Sequence, residues 1–220
     1  MPRSYQSVTT DVVIFTIENE KLKVILIKRA KKPFKNQWAL PGGFIHANES
    51  PKQAALRVLK NKAGVKNVFI EQLYTFAGSN RDPRGNVITV TYFALVPINK
   101  IRFQKTKETQ TPTFFPLKKL PKLAFDHKYI IAYAVSRLRA KLEYTNAVYS
   151  LLPQEFTFNQ LQEVYEIIWG KKKDKRNFRK KFLQLGLIRP LNKKYSGVRQ
   201  RPAQLFRFVP QKLTELKKFF

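Results

Sequence analysis

The chain has 220 residues, of which 43 are lysine or arginine and 14 are aspartate or glutamate, giving a formal net charge of +29. Hydrophobic residues make up 43% of it, which is enough for folded cores and argues against a wholly disordered chain, and the length fits two modest domains. The absence of cysteine excludes disulfides and thiolate metal sites.

The positive charge favours a polyanionic partner, above all nucleic acid. The alternative is that lysine merely serves as a solubilising surface residue. Both halves of the chain are basic, so charge alone does not locate a binding face. No segment approaches the roughly 20 apolar residues that a membrane span requires. We therefore expect a soluble cytoplasmic protein without a membrane partner.

The first part of the chain predicts strands and helices in alternation. Ser50 can cap a helix, Pro51 suits its first turn, and Gly64 is well placed to end it. Alternating apolar residues predict the neighbouring strands. The expected segments are two strands within residues 8–27 joined by a turn at 18–20, a helix at 50–64, strands at 69–77 and 87–97, and a helix at 126–143.

The remainder of the chain predicts a separate unit. Thr157 begins a capping-box pattern, Gly170 ends the helix that follows, and Asp174 can cap a second helix. Two short strands are expected next, at residues 187–189 and 205–208, around a basic loop. Helix, turn, helix and a two-stranded wing is the order of a winged helix-turn-helix. We therefore predict two domains, residues 1–143 and 144–220.

Residues 43–65 contain glycine, charged and aliphatic residues at fixed spacing. The positions are Gly43, Glu49, Arg57, Leu59, Gly64 and Val65, preceded by Leu40-Pro41-Gly42. This spacing resembles the Nudix signature. The resemblance implies an α+β fold, an α/β/α sandwich with a mixed sheet. It also implies, in the enzymes of that family, a helix whose glutamates hold a divalent metal against a pyrophosphate.

The chain departs from the signature at the three metal-binding glutamates. Val58, Asn61 and Lys62 occupy those positions. Magnesium requires hard anionic oxygen ligands, which Glu49 alone does not supply. A like charge such as that of Lys62 at roughly 4 Å from a cation costs about 4 kcal/mol at intermediate dielectric. We therefore predict no metal, no cofactor and no hydrolase activity, with Lys62 able to face a phosphate instead.

A small-molecule effector is predicted at the pocket that this fold provides. The turn Arg81-Asp82-Pro83-Arg84-Gly85 is similar to an element of Nudix proteins that handle ADP-ribose, and two guanidiniums can bind a diphosphate bidentately. An ordinary hairpin loop with solvated arginines is the alternative. The predicted effector-binding residues are Arg29, Glu49, Arg57, Lys62, Phe76, Arg81, Arg84 and Tyr92.

Four further segments resemble the NrtR family of Nudix-related transcriptional regulators. They are Leu123-Ala124-Phe125-Asp126-His127 and residues 151–157, 174–179 and 201–208. The resemblance implies a Nudix-like domain that senses ADP-ribose or a related molecule. It also implies a winged helix that binds palindromic DNA operators as a homodimer and represses genes of NAD synthesis. Relatives with this layout respond to sugars such as arabinose, which leaves the effector open.

Basic residues cluster at the start and outer face of the predicted second helix of the motif. In a helix-turn-helix, residues near the start of that helix contact base edges while neighbouring cations contact phosphate. A solvated basic surface is the alternative. The predicted DNA-binding residues are Lys173, Lys175, Arg176, Asn177, Arg179, Lys180 and Lys181, with Arg199 and Arg201 in the loop after the helix.

Two other functions remain open from the sequence. One is a surviving ADP-ribose hydrolase with displaced metal ligands, such as Glu71 or Glu108. The other is a protein that binds nucleic acid without sequence preference, whose affinity would follow salt alone. The two histidines, His46 and His127, have no partner at metal-ligand spacing and are expected to be structural.

Overall fold

The computed structural model describes residues 6–103, 112–195, 202–209 and 212–216. Its contacts divide the chain into two compact units. One contains the residues up to Val135, and the other contains the residues from Ser136 onward together with residues 19–21. The division falls within a helix of the chain, whereas the sequence placed the domain boundary after residue 143.

The first unit is built on a mixed β-sheet. Its elements are β1 (Ser7–Glu18), β2 (Lys21–Lys28), β3 (Trp38–Ala39), β4 (Gly42–Phe44), α1 (Pro51–Ala63), β5 (Phe69–Phe76), β6 (Val87–Leu95), β7 (Thr113–Pro116) and α2 (His127–Lys141), the last continuing into the second unit. The strand order is β3-β2-β1-β6-β5, with β4 paired to β1 and β7 to β2. The pairing of β1 with β6 is parallel, whereas β1 with β4, β2 with β3 and β7, and β5 with β6 pair antiparallel, so the sheet is mixed.

Helix α1 covers one face of this sheet. Ser50 caps it through a capping box with Gln53, Pro51 lies in its first turn, and Gly64 ends it in the left-handed conformation. Its residues Val58 and Leu59 pack into an apolar cluster with side chains of β1, β2 and β6. The capping signals are local in sequence, which is why they predicted both ends of the helix.

The opposite face of the sheet contacts the start of α2. Asp11 precedes Val12 in β1, and successive strand residues point to opposite faces. Val12 belongs to the cluster under α1, whereas the carboxylate of Asp11 lies 3.8 Å from Nε2 of His127 in α2. The sheet is therefore flanked by a helix on each face.

The short strands β3, β4 and β7 of the first unit were not predicted from the sequence. The segment that contains Phe114 and Phe115 forms β7, which pairs with β2. Strands β3 and β4 are only two and three residues long. Such short strands are specified by their pairing partners more than by their own sequence pattern.

The second unit has the order of a winged helix-turn-helix. Its elements after α2 are β8 (Phe156–Thr157), α3 (Phe158–Trp169), α4 (Lys175–Gln184), β9 (Ile188–Tyr195) and β10 (Ala203–Phe208). The strands form one sheet in the order β8-β10-β9. Strand β9 extends to Tyr195, well beyond the predicted end at residue 189, so part of the expected basic loop is strand.

Aromatic side chains form the core of this unit. Tyr165 of α3 lies against Phe178 and Phe182 of α4, with ring centroids 5.4 and 5.7 Å away, and Phe158 contacts both phenylalanines. Fully burying one such side chain contributes about 1.5–3 kcal/mol. The contacts join the two helices of the motif through one apolar face of each.

The C-terminal segment pairs with the residues that follow α2. Residues 212–216 are not helical, and Glu215 forms an isolated antiparallel bridge with Thr145.

In the described ranges, no helix is both long and apolar enough to cross a membrane.

Two adjacent glycines of β4 provide a matched test of how closely β4 packs against Thr10 and Asp11 of β1. A Cβ on Gly42 would lie 2.1 Å from Oδ1 of Asp11 and 2.6 Å from the carbonyl oxygen of Thr10, whereas one on Gly43 would meet nothing within 4 Å. We expect Gly42→Ala to lower the free energy of unfolding of the first unit by about 1–3 kcal/mol, as overpacking does. Gly43→Ala should change it by no more than about 0.5 kcal/mol. Urea denaturation measures both free energies of unfolding. Equal losses in the two variants would contradict a close contact at Gly42 alone.

Candidate functional site

The loop before α1 is fixed by an ion pair within the Nudix-like box. Arg57 donates from Nε and Nη2 to the two carboxylate oxygens of Glu49, at 2.7 Å each, and from Nη2 to the carbonyl oxygen of Phe44 at 3.0 Å. The backbone N–H of His46 also donates to Glu49, at 3.0 Å. The carboxylate of Glu49 therefore accepts hydrogen bonds that hold the loop in place, and Arg57 joins that loop to α1.

This pair determines the ionisation of Glu49. Hydrogen bonds from the Arg57 guanidinium, followed by the one from the His46 N–H, lower the pKa of Glu49 from 4.5 to about 2. The same hydrogen bond raises the pKa of Arg57. Both groups are charged at neutral pH and are directed at each other.

The three positions that depart from the Nudix signature lie in different surroundings. Val58 is buried in the cluster under α1, Asn61 is exposed, and Lys62 is half-buried. Glu71 lies in β5 opposite Phe93, and Glu108 lies outside the described residues. Within those residues, no group of three or more histidine, aspartate or glutamate side chains is arranged to hold a metal ion.

Both arginines of the predicted effector loop are paired with carboxylates. Arg81 donates to both oxygens of Asp126, at 3.0 Å each, and its side chain is only 7% exposed. Arg84 donates to both oxygens of the buried Asp82, the shortest contact being 2.6 Å, and its side chain is 38% exposed. Arg81 therefore anchors the loop to the segment before α2, while Arg84 remains accessible.

Arg84 and Arg29 converge on one aromatic ring. The guanidinium carbons lie 5.5 and 4.7 Å from the ring centroid of Phe125, and that of Arg84 lies 5.2 Å from the ring of Phe44. Burial lowers the pKa of Arg29, and the neighbouring Arg84 lowers it further. Arg29 also donates from Nε to the carbonyl oxygen of Pro33 at 2.8 Å. We call Arg29, Phe44, Arg84 and Phe125 the arginine–phenylalanine cluster.

The remaining predicted effector residues lie outside this cluster. Tyr92 is 5% exposed and packs in the core under α1. Phe76 is 7% exposed and forms an aromatic group with Tyr74, Tyr129 and Tyr133, with centroid distances between 5.3 and 5.9 Å. Phe44 and Phe125 were not among the predicted site residues, although Phe44 follows the glycine pair and Phe125 lies in a segment singled out by resemblance.

The two histidines have different surroundings. His46 is exposed, and its Nδ1 lies 4.0 Å from Glu49. His127 is buried, and its Nδ1 accepts a hydrogen bond from the backbone N–H of Leu40 at 2.9 Å. Burial lowers the pKa of His127, although Asp11 nearby acts in the opposite direction. His127 thus connects α2 to Leu40, directly after β3, which is a structural role.

Helix α4 presents a basic face to solvent in the second unit. Asp174 caps the helix by accepting a hydrogen bond from the N–H of Asn177 at 2.8 Å. Phe178 and Phe182 are buried on one side of the helix. The predicted residues that are exposed on α4 are Lys175, Arg176, Asn177, Arg179, Lys180 and Lys181.

Two of the predicted DNA-binding residues also contact aromatic rings. Lys173 is half-buried, and its Nζ lies 4.7 Å from the ring centroid of Trp169. The guanidinium carbon of Arg179 lies 4.9 Å from the ring of Phe158 and 5.7 Å from that of Phe206. The ring face attracts the cation and so orients its side chain. Arg199 and Arg201 lie outside the described residues.

The wing contributes further charged residues. In β9, Lys193 donates to Glu155 at 3.2 Å, and Lys194 and Tyr195 are exposed. Strand β9 pairs with β10, which places these residues at one end of the three-stranded sheet.

The fold and motifs agree with comparisons against known protein families. The model of the NUDIX domain matches residues 8–134, and that of the NrtR DNA-binding winged helix domain matches residues 148–208. The chain is therefore a Nudix-fold protein joined to a winged helix of the DNA-binding class.

Full-length relatives identify the family. The ADPR responsive transcriptional repressor NtrR of Acinetobacter baylyi is 36% identical over 208 residues, which cover 92% of this chain and 82% of that protein. Shewanella oneidensis NrtR, solved in complex with a 27mer DNA, is 36% identical with a TM-score of 0.81, covering 91% of this chain and 93% of that chain. The chain belongs to the NrtR family.

A structure of the first domain alone is also similar. The NUDIX domain of Shewanella oneidensis NrtR, solved in complex with ADP ribose, is 39% identical with a TM-score of 0.57. The match covers 62% of this chain and 90% of that one.

The ion pair of the box predicts a pH-dependent contribution to stability. The folded-state pKa of Glu49, about 2, lies below its ordinary value of 4.5. The pair therefore stabilises the fold above the ordinary value, and this stabilisation is lost as the pH falls toward the folded-state pKa. We expect Glu49→Gln to be less stable than wild type at neutral pH, with the deficit shrinking in acid.

Urea denaturation of wild type and Glu49→Gln between about pH 7 and pH 2.5 measures this difference. Glu143→Gln, which neutralises an exposed carboxylate in the second unit, is the control for net charge. A deficit for Glu49→Gln that stays constant over the whole range would contradict the ion pair as its cause.

Proposed function

We propose that this protein is a transcriptional repressor that binds a palindromic operator as a homodimer and responds to ADP-ribose or a related nucleotide or sugar. The regulated genes would be those of NAD synthesis. The observation that carries the proposal is the outer face of α4, which exposes cations opposite its buried phenylalanines. The relatives that bind DNA and ADP ribose support it by similarity over most of the chain.

The exposed face of α4 suits the major groove. Arg176 and Lys180 are four residues apart, so they lie on the same side of the helix, as Phe178 and Phe182 do on the buried side. An α-helix fits the major groove, where arginine can bond bidentately to guanine and lysine can neutralise phosphate. The aromatic core fixes which side of α4 is available, and that side is cationic.

The arginine–phenylalanine cluster suits an anionic effector with a flat or apolar part. Arg84 is already paired with Asp82, so it offers only its remaining N–H groups, while Arg29 carries one hydrogen bond from Nε and a weak one from Nη2. Charge-assisted hydrogen bonds from guanidinium to a diphosphate are strong and directional. The half-buried ring of Phe125 beneath the two arginines adds an apolar surface.

We further propose that the box no longer supports hydrolysis. Metal-assisted cleavage of a pyrophosphate requires carboxylates that hold the cation. The one box glutamate that remains, Glu49, is engaged by Arg57, and Val58 packs in the core. These contacts favour a domain that binds its ligand without turning it over.

DNA recognition by α4 is tested with two single substitutions. We expect Arg176→Ala to weaken binding to the preferred operator by about 1–3 kcal/mol and to relax specificity, as loss of a base contact does. Lys180→Ala should weaken binding to all duplexes and reduce the salt slope by about one. Fluorescence anisotropy across salt concentrations, with a duplex selected by the wild type and a random duplex, measures both effects.

The control for this experiment is Lys52→Ala, which removes an exposed lysine of α1 in the other unit. It should leave the operator affinity unchanged. A wild-type protein that shows no preference over random duplex at physiological salt would overturn the proposed function and favour a non-specific nucleic-acid-binding protein.

Effector binding is tested by Arg29→Ala against Lys28→Ala. The two residues are adjacent and carry the same charge, but only Arg29 belongs to the cluster. Loss of a charge-assisted hydrogen bond costs about 1.5–3 kcal/mol, so Arg29→Ala should weaken ADP-ribose binding at least about tenfold while Lys28→Ala retains it. Calorimetric titration measures the affinities. Release of AMP from ADP-ribose with magnesium or manganese would contradict the proposed absence of hydrolysis.

A further inference from the structure

The turn between α3 and α4 is bound on both sides of one residue by α3. The backbone N–H of Lys173 donates to Oε1 of Glu166 at 2.9 Å. Gln162, one helical turn earlier, donates from Nε2 to the carbonyl oxygen of Lys173 at 3.0 Å and to Oε1 of Glu166 at 2.8 Å. Side chains of α3 therefore bond both polar backbone groups of Lys173. We call Gln162, Glu166 and Lys173 the turn clamp.

The two α3 side chains of the turn clamp are buried. Gln162 is 5% exposed and Glu166 is 8% exposed. Burial acts to raise the pKa of Glu166, but hydrogen bonds from the Lys173 N–H, from Lys172 and from Gln162 outweigh it, so the pKa is lowered. The ammonium of Lys172 lies 2.9 Å from Oε2 of Glu166. Glu166 is thus a charged carboxylate held within a strongly basic domain.

The clamp lies where the start of α4 is determined. Gly170 ends α3 in the left-handed conformation, and Asp174, directly after Lys173, caps α4. Between these two residues the turn has no regular structure of its own, so its path depends on bonds to other elements. In a helix-turn-helix, the position of the second helix decides which of its residues reach base edges.

We propose that Gln162 and Glu166 are positioning residues for DNA readout, which they perform by fixing Lys173 and hence the first turn of α4. This inference rests on the proposed function as a sequence-specific regulator. Neither side chain contacts DNA in this role. Their effect on binding passes through the backbone of the turn.

A purely electrostatic role for Glu166 predicts the opposite result. Removing a negative charge from a DNA-binding domain strengthens its attraction to any duplex, because phosphate binding is driven by charge and counterion release. Glu163 lies on the same helix and is exposed, so Glu163→Ala removes the same charge while leaving the hydrogen bonds of the turn clamp in place. If Glu166 acts only through its charge, Glu166→Ala should resemble Glu163→Ala.

The experiment compares Glu166→Ala, Glu166→Gln and Glu163→Ala in the full chain. Glu166→Ala leaves the part-buried N–H of Lys173 without this acceptor, so it should bind the operator about tenfold more weakly. Its affinity for random duplex should be unchanged or slightly higher, and its salt slope should be retained. Glu166→Gln keeps an acceptor for the Lys173 N–H and should restore operator affinity. Glu163→Ala should bind both duplexes as well as wild type or better.

The rate of hydrogen exchange at the Lys173 amide reports whether the turn clamp is formed, and it can be measured without DNA. We expect faster exchange in Glu166→Ala and near-normal exchange in Glu166→Gln, with thermal unfolding confirming that each variant is folded. Should Glu166→Ala not fold, Gln162→Ala keeps the test: it removes only the bonds from Gln162, and it should lower operator affinity in the same direction by a smaller factor.

The outcomes separate the two levels of the proposal. Wild-type protein without operator preference would defeat the proposed function itself. Wild-type protein with that preference, combined with a Glu166→Ala variant that behaves like Glu163→Ala, would overturn the positioning role alone. Failure of Glu166→Gln to restore operator affinity would also overturn it, because the hydrogen bond to Lys173 would then not be the cause.

Discussion

Bidentate pairing of arginine with carboxylate organises the described part of the Nudix unit. The pairs are Glu49–Arg57, Asp82–Arg84 and Asp126–Arg81. They join the box loop to α1, order the loop before β6 and attach that loop to the start of α2. These three pairs engage three of the 14 acidic residues of the chain. The same pairing fixes the loop that carries Arg84 and places the carboxylate of Asp82 beside the guanidiniums of the cluster.

Local signals predicted much of the fold. The turn at Asn19 and Glu20, both in the left-handed region, the caps of α1 and the capping box of Thr157 with Gln160 all depend on residues close in sequence. Periodicity correctly placed Phe178 on the buried side of α4. The Nudix spacing and the winged-helix order were likewise visible, because each depends on the order of residues along the chain and not on contacts between distant residues.

Contacts between distant residues could not be predicted in this way. Arg81 looked free to bind a ligand because its partner, Asp126, lies 45 positions away in sequence. Tyr92 was predicted as an effector residue, and a period of two gives two strand faces without saying which of them packs in the core under α1, where Tyr92 lies. For the same reason the sequence did not predict the contact between Arg29 and Phe125. It also did not predict that Glu166 accepts a hydrogen bond from Lys173, because that bond depends on the path of a turn that the sequence does not specify.

The surroundings of the buried His127 determine where its ring carries a proton. Because Nδ1 of His127 accepts the Leu40 N–H, the neutral ring carries its proton on Nε2, on the side of Asp11. A second proton would have to displace that backbone hydrogen bond, and burial already opposes the cationic form. The Leu40 hydrogen bond and burial therefore both favour the neutral ring with its proton on Nε2. Protonation of His127 would cost the unit the bond that joins the start of α2 to Leu40.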